Sequence, residues 1–131
     1  MENTFKLDTG DNLFLSPHIT SQTIIDLVQK LSKNELDFIV LEPKTPIKNS
    51  LYIQIIYGFS VELRLVLPND EIRHYSYETE NMNEVITIFL NYFEKKEIPN
   101  LDTWEDISDS FRPNLFSTIF SKLRSSKKKR R

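Results

Sequence analysis

Two groups of carboxylates are the residues of this chain with the clearest chemical potential: Glu78, Glu80 and Glu84, and then Asp102, Glu105, Asp106 and Asp109. If the second segment is helical, its three aspartates share a face, and their oxygens could bind a hard cation or perform acid–base work. The spacing matches no EF-hand and lacks a histidine partner. Helix capping and solvation, or an acidic surface for a protein partner, are therefore favoured. We predict no metal site and no cofactor.

Other catalytic chemistry finds no support in the sequence. The two histidines, His18 and His74, fall in different predicted elements, no nucleophile elbow accompanies them, and we expect surface or turn positions for both. Glycine occurs only at Gly10 and Gly58, which excludes a phosphate-cradling loop. The absence of cysteine excludes thiolate chemistry. The sequence favours a protein that is not an enzyme.

Trp104, the only tryptophan, lies inside the second acidic group. An exposed tryptophan beside carboxylates would make a good interface anchor. Closure of the core edge is the favoured alternative, because tryptophan is highly buried on average.

Charge is divided unevenly along the chain. Residues 1–109 carry nineteen acids and nine bases, a net of −10, whereas residues 110–131 carry eight bases and no acid. The basic tail suits an anionic membrane, nucleic-acid phosphates or a nuclear-import-like cluster. The remaining alternative is a last helix docked on the protein's own core and followed by a frayed basic end. The residues predicted to contact a membrane or nucleic acid are Lys122, Arg124, Lys127, Lys128, Lys129, Arg130 and Arg131.

Hydrophobic periodicity predicts the elements that position these groups. Helices are predicted around Ile24–Leu31, from Asn81 to Phe93 and over Asn114–Arg124, with a short helical start at Thr103–Asp106. An opening hairpin is predicted from Thr4–Asp8 and Asn12–Leu15, and four longer strands from Leu36–Leu41, Leu51–Tyr57, Phe59–Leu67 and Ile72–Thr79. We therefore predict an α+β fold, an antiparallel β-meander of about four strands with helices packed on one face.

The length of 131 residues predicts one domain, residues 1–124, with a last helix at about 114–124. Residues 125–131 are expected to form a disordered basic tail. The N-terminus lacks signal-peptide features, and the longest uncharged stretches are too short and polar to span a bilayer. We expect a cytoplasmic protein.

The architecture over about residues 16–109 resembles the small cysteine-free immunity proteins that bacteria encode beside polymorphic secreted toxins. The resemblance is carried by the alternating strand Phe59–Leu67, the turn Pro68–Glu71, the capped helix Asn81–Phe93 and the acidic stretch Leu101–Asp106. It implies a protein that binds and neutralises a cognate toxin.

Two hypotheses of function follow. The leading one is a non-enzymatic protein-binding module, an immunity protein that binds a basic toxin through an acidic surface. Its predicted contact residues are Glu78, Glu80, Glu84, Asp102, Trp104, Glu105 and Asp106. The alternative is a small adaptor that binds a membrane surface or nucleic acid through the basic tail.

Overall fold

The computed structural model describes residues 4–56 and 59–110, which form an antiparallel sheet and two α-helices. The seven strands of the described residues are β1 (Phe5–Asp8), β2 (Leu13–Leu15), β3 (Phe38–Pro43), β4 (Ser50–Ile56), β5 (Ser60–Val66), β6 (Ile72–Glu78) and β7 (Glu105–Asp106). Their order in the sheet is β2-β1-β3-β4-β5-β6-β7. The α+β class is confirmed, but a meander of about four strands was too small. The opening hairpin and β7 extend the sheet at its two edges.

Helix α1 (Ser21–Ser32) begins and ends at residues that satisfy its free backbone groups. Thr20 Oγ1 accepts from the backbone N–H of Thr23 at 3.1 Å, which caps the first turn. Asn34, in the left-handed region with φ 62°, allows the N–H of Glu35 to reach the carbonyl of Lys30 at 3.0 Å. The predicted helix is confirmed, with Thr20 as its cap.

Helix α2 (Met82–Leu90) begins after Asn81, as predicted, and continues into a π-helical turn, Asn91–Lys95. Lys96 then takes φ 57° and ends the helical segment. Short 3-10 turns occupy Ser16–His18 and Ser108–Ser110. No helix of the described residues is long and apolar enough to cross a membrane.

Both helices pack on one face of the sheet, which we call the helix face. The register aligns Leu41, Ile53 and Leu63 across β3, β4 and β5, and all three are buried. In α1, Leu27 and Val28 belong to the same core cluster as these strand residues, as do the buried side chains of α2. Alternation along each strand therefore places one apolar row under the helices.

The opposite face, which we call the second face, carries the other alternate residues of β3 to β6. One row of the register aligns Val40, Gln54, Glu62 and Ser76. Alternation along the predicted strand Phe59–Leu67 indicates one buried face and one solvated face, with Glu62 on the solvated one. In the structure Glu62 is buried instead.

The segment 103–106 also departs from its prediction. Glu105 and Asp106 form a strand that pairs with Ser76 and Tyr75 of β6, where a short helical start was expected. Asp102, Asp106 and Asp109 consequently do not share a helix face. The predicted last helix at 114–124 and the basic tail 125–131 lie outside the described residues.

Candidate functional site

Strand β7 brings the two predicted groups of carboxylates to one edge of the sheet. Glu105 pairs with Ser76, two residues before the end of β6 at Glu78. The chain then turns directly into α2, whose first turn contains Glu84. We call this region the acidic edge, defined by Glu78, Glu80, Glu84, Asp102, Glu105 and Asp106. Of these six residues, all are exposed except Glu84, which is half-buried.

Glu84 is held by two hydroxyl groups from the end of β6 and the following turn. Tyr77 Oη donates to Glu84 Oε2 and Thr79 Oγ1 donates to Glu84 Oε1, both at 2.7 Å. These bonds, that from Thr79 first, lower the pKa of the Glu84 carboxyl and favour its charged form. The capping residue predicted for this helix is confirmed: Asn81 Oδ1 accepts from the backbone N–H of Glu84 at 3.2 Å. The backbone N–H of Asn81 donates to Thr79.

Asp106 is fixed in a similar way by the turn that follows β7. The hydroxyl and the backbone N–H of Ser108 both donate to Asp106 Oδ1, the latter at 2.9 Å. These bonds, with a smaller contribution from Arg73, lower the pKa of the Asp106 carboxyl. Ser108 Oγ also accepts from the backbone N–H of His74 at 2.9 Å. The same serine thus ties the acidic edge to β6.

Trp104 closes the core beneath the acidic edge. Its ring stacks on Tyr77 with centroids 5.3 Å apart and an interplanar angle of 15°. The side chain is 9% exposed, so it offers a partner little apolar surface. Because Tyr77 also donates to Glu84, the stacked pair supports the position of that carboxylate.

The carboxylates of the acidic edge form no salt bridge with the described residues, although Arg73 contributes to the lowered pKa of Asp106. Within residues 4–56 and 59–110, the salt bridges join Arg73 to Glu71 and His74 to Glu62. None of the six carboxylates of the edge takes part in them. In the same part of the chain, no group of three or more His, Cys, Asp or Glu side chains has the arrangement of a metal site. The edge is an anionic surface with two of its carboxylates held in fixed positions.

A second polar cluster, which the sequence did not predict, is buried on the second face. His74 Nε2 lies 2.8 Å from Glu62 Oε1, and Gln54 Nε2 donates to the same oxygen at 2.8 Å. Arg64 Nε donates to His74 Nδ1 at 3.2 Å, so the Nε2-protonated tautomer is the one that donates to Glu62. His74 is fully buried, contrary to the expected surface or turn position, whereas His18 is exposed as expected.

This buried cluster links β4, β5 and β6 through side-chain hydrogen bonds and offers no accessible reacting group. Its signal in the sequence was the Pro68–Glu71 turn, which fixes β5 against β6 and places Arg64 opposite His74. Beside the cluster, the second face continues towards β1 as a groove of about 550 Å³. Lys6, Glu42 and Tyr52 are among the residues that line this groove.

The contact residues of the alternative hypothesis, Lys122, Arg124 and Lys127–Arg131, lie outside the described residues. Comparison with protein families, with curated proteins and with solved structures finds no match for this chain.

Proposed function

We propose that this chain is a non-enzymatic, cytoplasmic protein-binding module that binds a basic protein partner through the acidic edge. We further propose that the partner is a toxin which the chain neutralises, as in the immunity proteins that its architecture resembles. The observation that carries the proposal is the set of six carboxylates at one edge, none of them in a salt bridge with another described residue.

Such a surface would act first on the rate of association. Uncompensated charge of one sign attracts an oppositely charged partner over about a Debye length, roughly 8–10 Å at physiological salt. Steering of this kind raises association rate constants by about 10- to 1,000-fold. Glu84 and Asp106 are already held by hydrogen bonds, so little side-chain freedom is lost there on binding.

The test neutralises exposed carboxylates that have no hydrogen bond within the described residues. Glu78→Gln with Glu105→Gln removes two charges from the edge, and Glu35→Gln with Glu97→Gln removes two exposed charges elsewhere. The first partner to assay is any toxin-like protein that an adjacent gene encodes. We expect the edge variant to lower the association rate constant by about tenfold at low salt and the control variant by less than twofold.

Equal association rates for the edge and control variants, with an unchanged dependence on salt, would refute the proposal. The adaptor hypothesis is tested in parallel by replacing the five bases Lys127–Arg131 with glutamine. Binding to anionic vesicles or to duplex DNA that is lost in this variant, without any binding of a basic protein, would support the adaptor instead.

A further inference from the structure

The centre of the second face is excluded from water although α1 and α2 pack on the other side of the sheet. The exposed fractions at its centre are small: Phe38 0%, His74 0%, Gln54 2%, Val40 6% and Glu62 7%. In contact with water, Phe38 and Val40 would present apolar surface, and the Glu62–His74 pair would be hydrated. The composition of this face is that of an interface.

We propose that residues 111–131 of this chain cover the second face as a docked amphipathic helix and its basic extension. The described chain ends at Ser110, directly after contacts with β6 at one side of this face. There the backbone N–H of Ile107 donates to the carbonyl of His74 at 2.8 Å. The last described residue therefore lies close to β6, and β5, β4 and β3 are the next strands of the sheet.

The length and pattern of the segment fit this surface. A helix over residues 114–124 would be about 16 Å long, and three strand spacings from β6 to β3 amount to about 14 Å. One face of that helix is apolar, with Leu115, Phe116, Ile119, Phe120 and Leu123. The helix would thus reach from His74 to Phe38 and Val40 with its apolar face on the sheet.

Charge favours the same placement. Residues 110–131 contain eight bases and no acid, and five of the bases form the run Lys127–Arg131. At the far side of the second face, Asp8 ends β1, Asp11 lies in the β1–β2 turn and Asp37 precedes β3. A helix that crosses from β6 to β3 would deliver the terminal bases to these acids. This inference is independent of the partner that the acidic edge binds.

The first experiment uses the absence of cysteine from the chain. Val40→Cys places a single thiol on the second face of the full-length protein, and Val28→Cys places one in the helix-face core. Each is combined with Ile119→Asp, in the apolar stripe, or with Ser121→Asp on the opposite side of the predicted helix. We expect Ile119→Asp to raise the rate at which Val40→Cys reacts with a thiol reagent by about tenfold, and Ser121→Asp by less than twofold.

Two results would overturn the inference. One is a fast reaction of Val40→Cys when residues 111–131 are unchanged, and the other is an equal reaction rate in the Ile119→Asp and Ser121→Asp variants. If Ile119→Asp also exposes Val28→Cys, the fold itself has opened, and a second measurement decides. A nitroxide attached at Ser125→Cys in the otherwise natural chain should broaden the amide signals of Asp8 and Val40 and spare those of α1.

Absence of broadening on the second face would overturn the inference. A mixing experiment tests whether a second copy of the protein covers this face instead. Isotope-labelled chains without the nitroxide are mixed with unlabelled chains that carry it. Broadening that passes from one chain to the other would show that a second copy of the protein covers this face, and would also overturn it.

Discussion

His74 is the residue of the second face whose removal should cost the most stability. The change His74→Ala deletes one of the two described donors to Glu62 Oε1 and leaves Gln54 alone to pair with that buried carboxylate. Breaking a buried ion pair or hydrogen-bonded charge by removing one partner costs about 3–5 kcal/mol. For a chain of this length, about 4 kcal/mol lowers Tm by roughly 15 °C.

A double-mutant cycle separates the pair from the cavity that alanine leaves. Glu62→Leu alone strands the N–H donors of His74 and Gln54, but in the double variant with His74→Ala no buried carboxylate remains without its partner. The two changes together should therefore cost less than their sum by about 2 kcal/mol. Ser60 and Ser76 provide a matched control on the same two strands, because their hydroxyls are 3.4 Å apart and only weakly paired.

The assay is equilibrium unfolding in urea at pH 7, with the free energy of unfolding of each variant taken at a common m-value. The control changes Ser60→Ala and Ser76→Ala should add to within about 0.5 kcal/mol. If the costs of His74→Ala and Glu62→Leu also add to within that margin, the carboxylate does not depend on the histidine. Our account of the second face would then be wrong.

Two further predictions concern pH. Burial raises the pKa of Tyr92 from 10.0 to about 12, so the stability that its neutral hydroxyl contributes is complete below pH 10 and is lost as pH rises to 12. Tyr92→Phe should remove this loss of about 2–3 kcal/mol from the free energy of unfolding measured at alkaline pH. At pH 7 the same change should cost about 1 kcal/mol, because the hydrogen bond to Ser50 is lost. Hydrogen bonds lower the pKa of Glu84 below 4.5, so the stability that its charged form contributes is present above that pH and is lost as pH falls through the lowered value. Tyr77→Phe should raise the pKa of Glu84, which carbon-13 NMR titration measures. An unchanged pKa in this variant would contradict the hydrogen bond from Tyr77.

Elements with a strong local signal could be predicted from the sequence. The stripe from Ile24 to Leu31 repeats with the helical period, and Thr20 and Asn81 are residues that cap helices well. The turn at Pro68–Glu71 forms where expected, with Asp70 at φ 65°. In these segments the local preference and the tertiary fold agree, so the pattern alone was sufficient.

Elements that depend on distant partners could not be predicted in this way. Strand β7 has two residues, too few to show a period, and it exists because Glu105 and Asp106 pair with β6. Burial of Glu62 was missed because alternation records polarity but does not record what covers a face. The helical start predicted at Thr103–Asp106 was wrong because strand pairing with β6 outweighed a weak local preference.

Strand β6 connects the acidic edge to the second face, because its alternate residues serve one or the other. Tyr77 points to the helix face, where it stacks on Trp104 and donates to Glu84. His74 points to the second face, while its backbone N–H is bound by Ser108, which holds Asp106. If residues 111–131 cover the second face as proposed, Ile119→Asp should therefore loosen the acidic edge as well. Neutralising Glu78 and Glu105 should slow association and leave Val40→Cys protected, since neither carboxylate contributes to the buried cluster. The two sets of variants therefore distinguish a change in the fold, which affects both the second face and the acidic edge, from a change in the binding surface, which affects the edge alone.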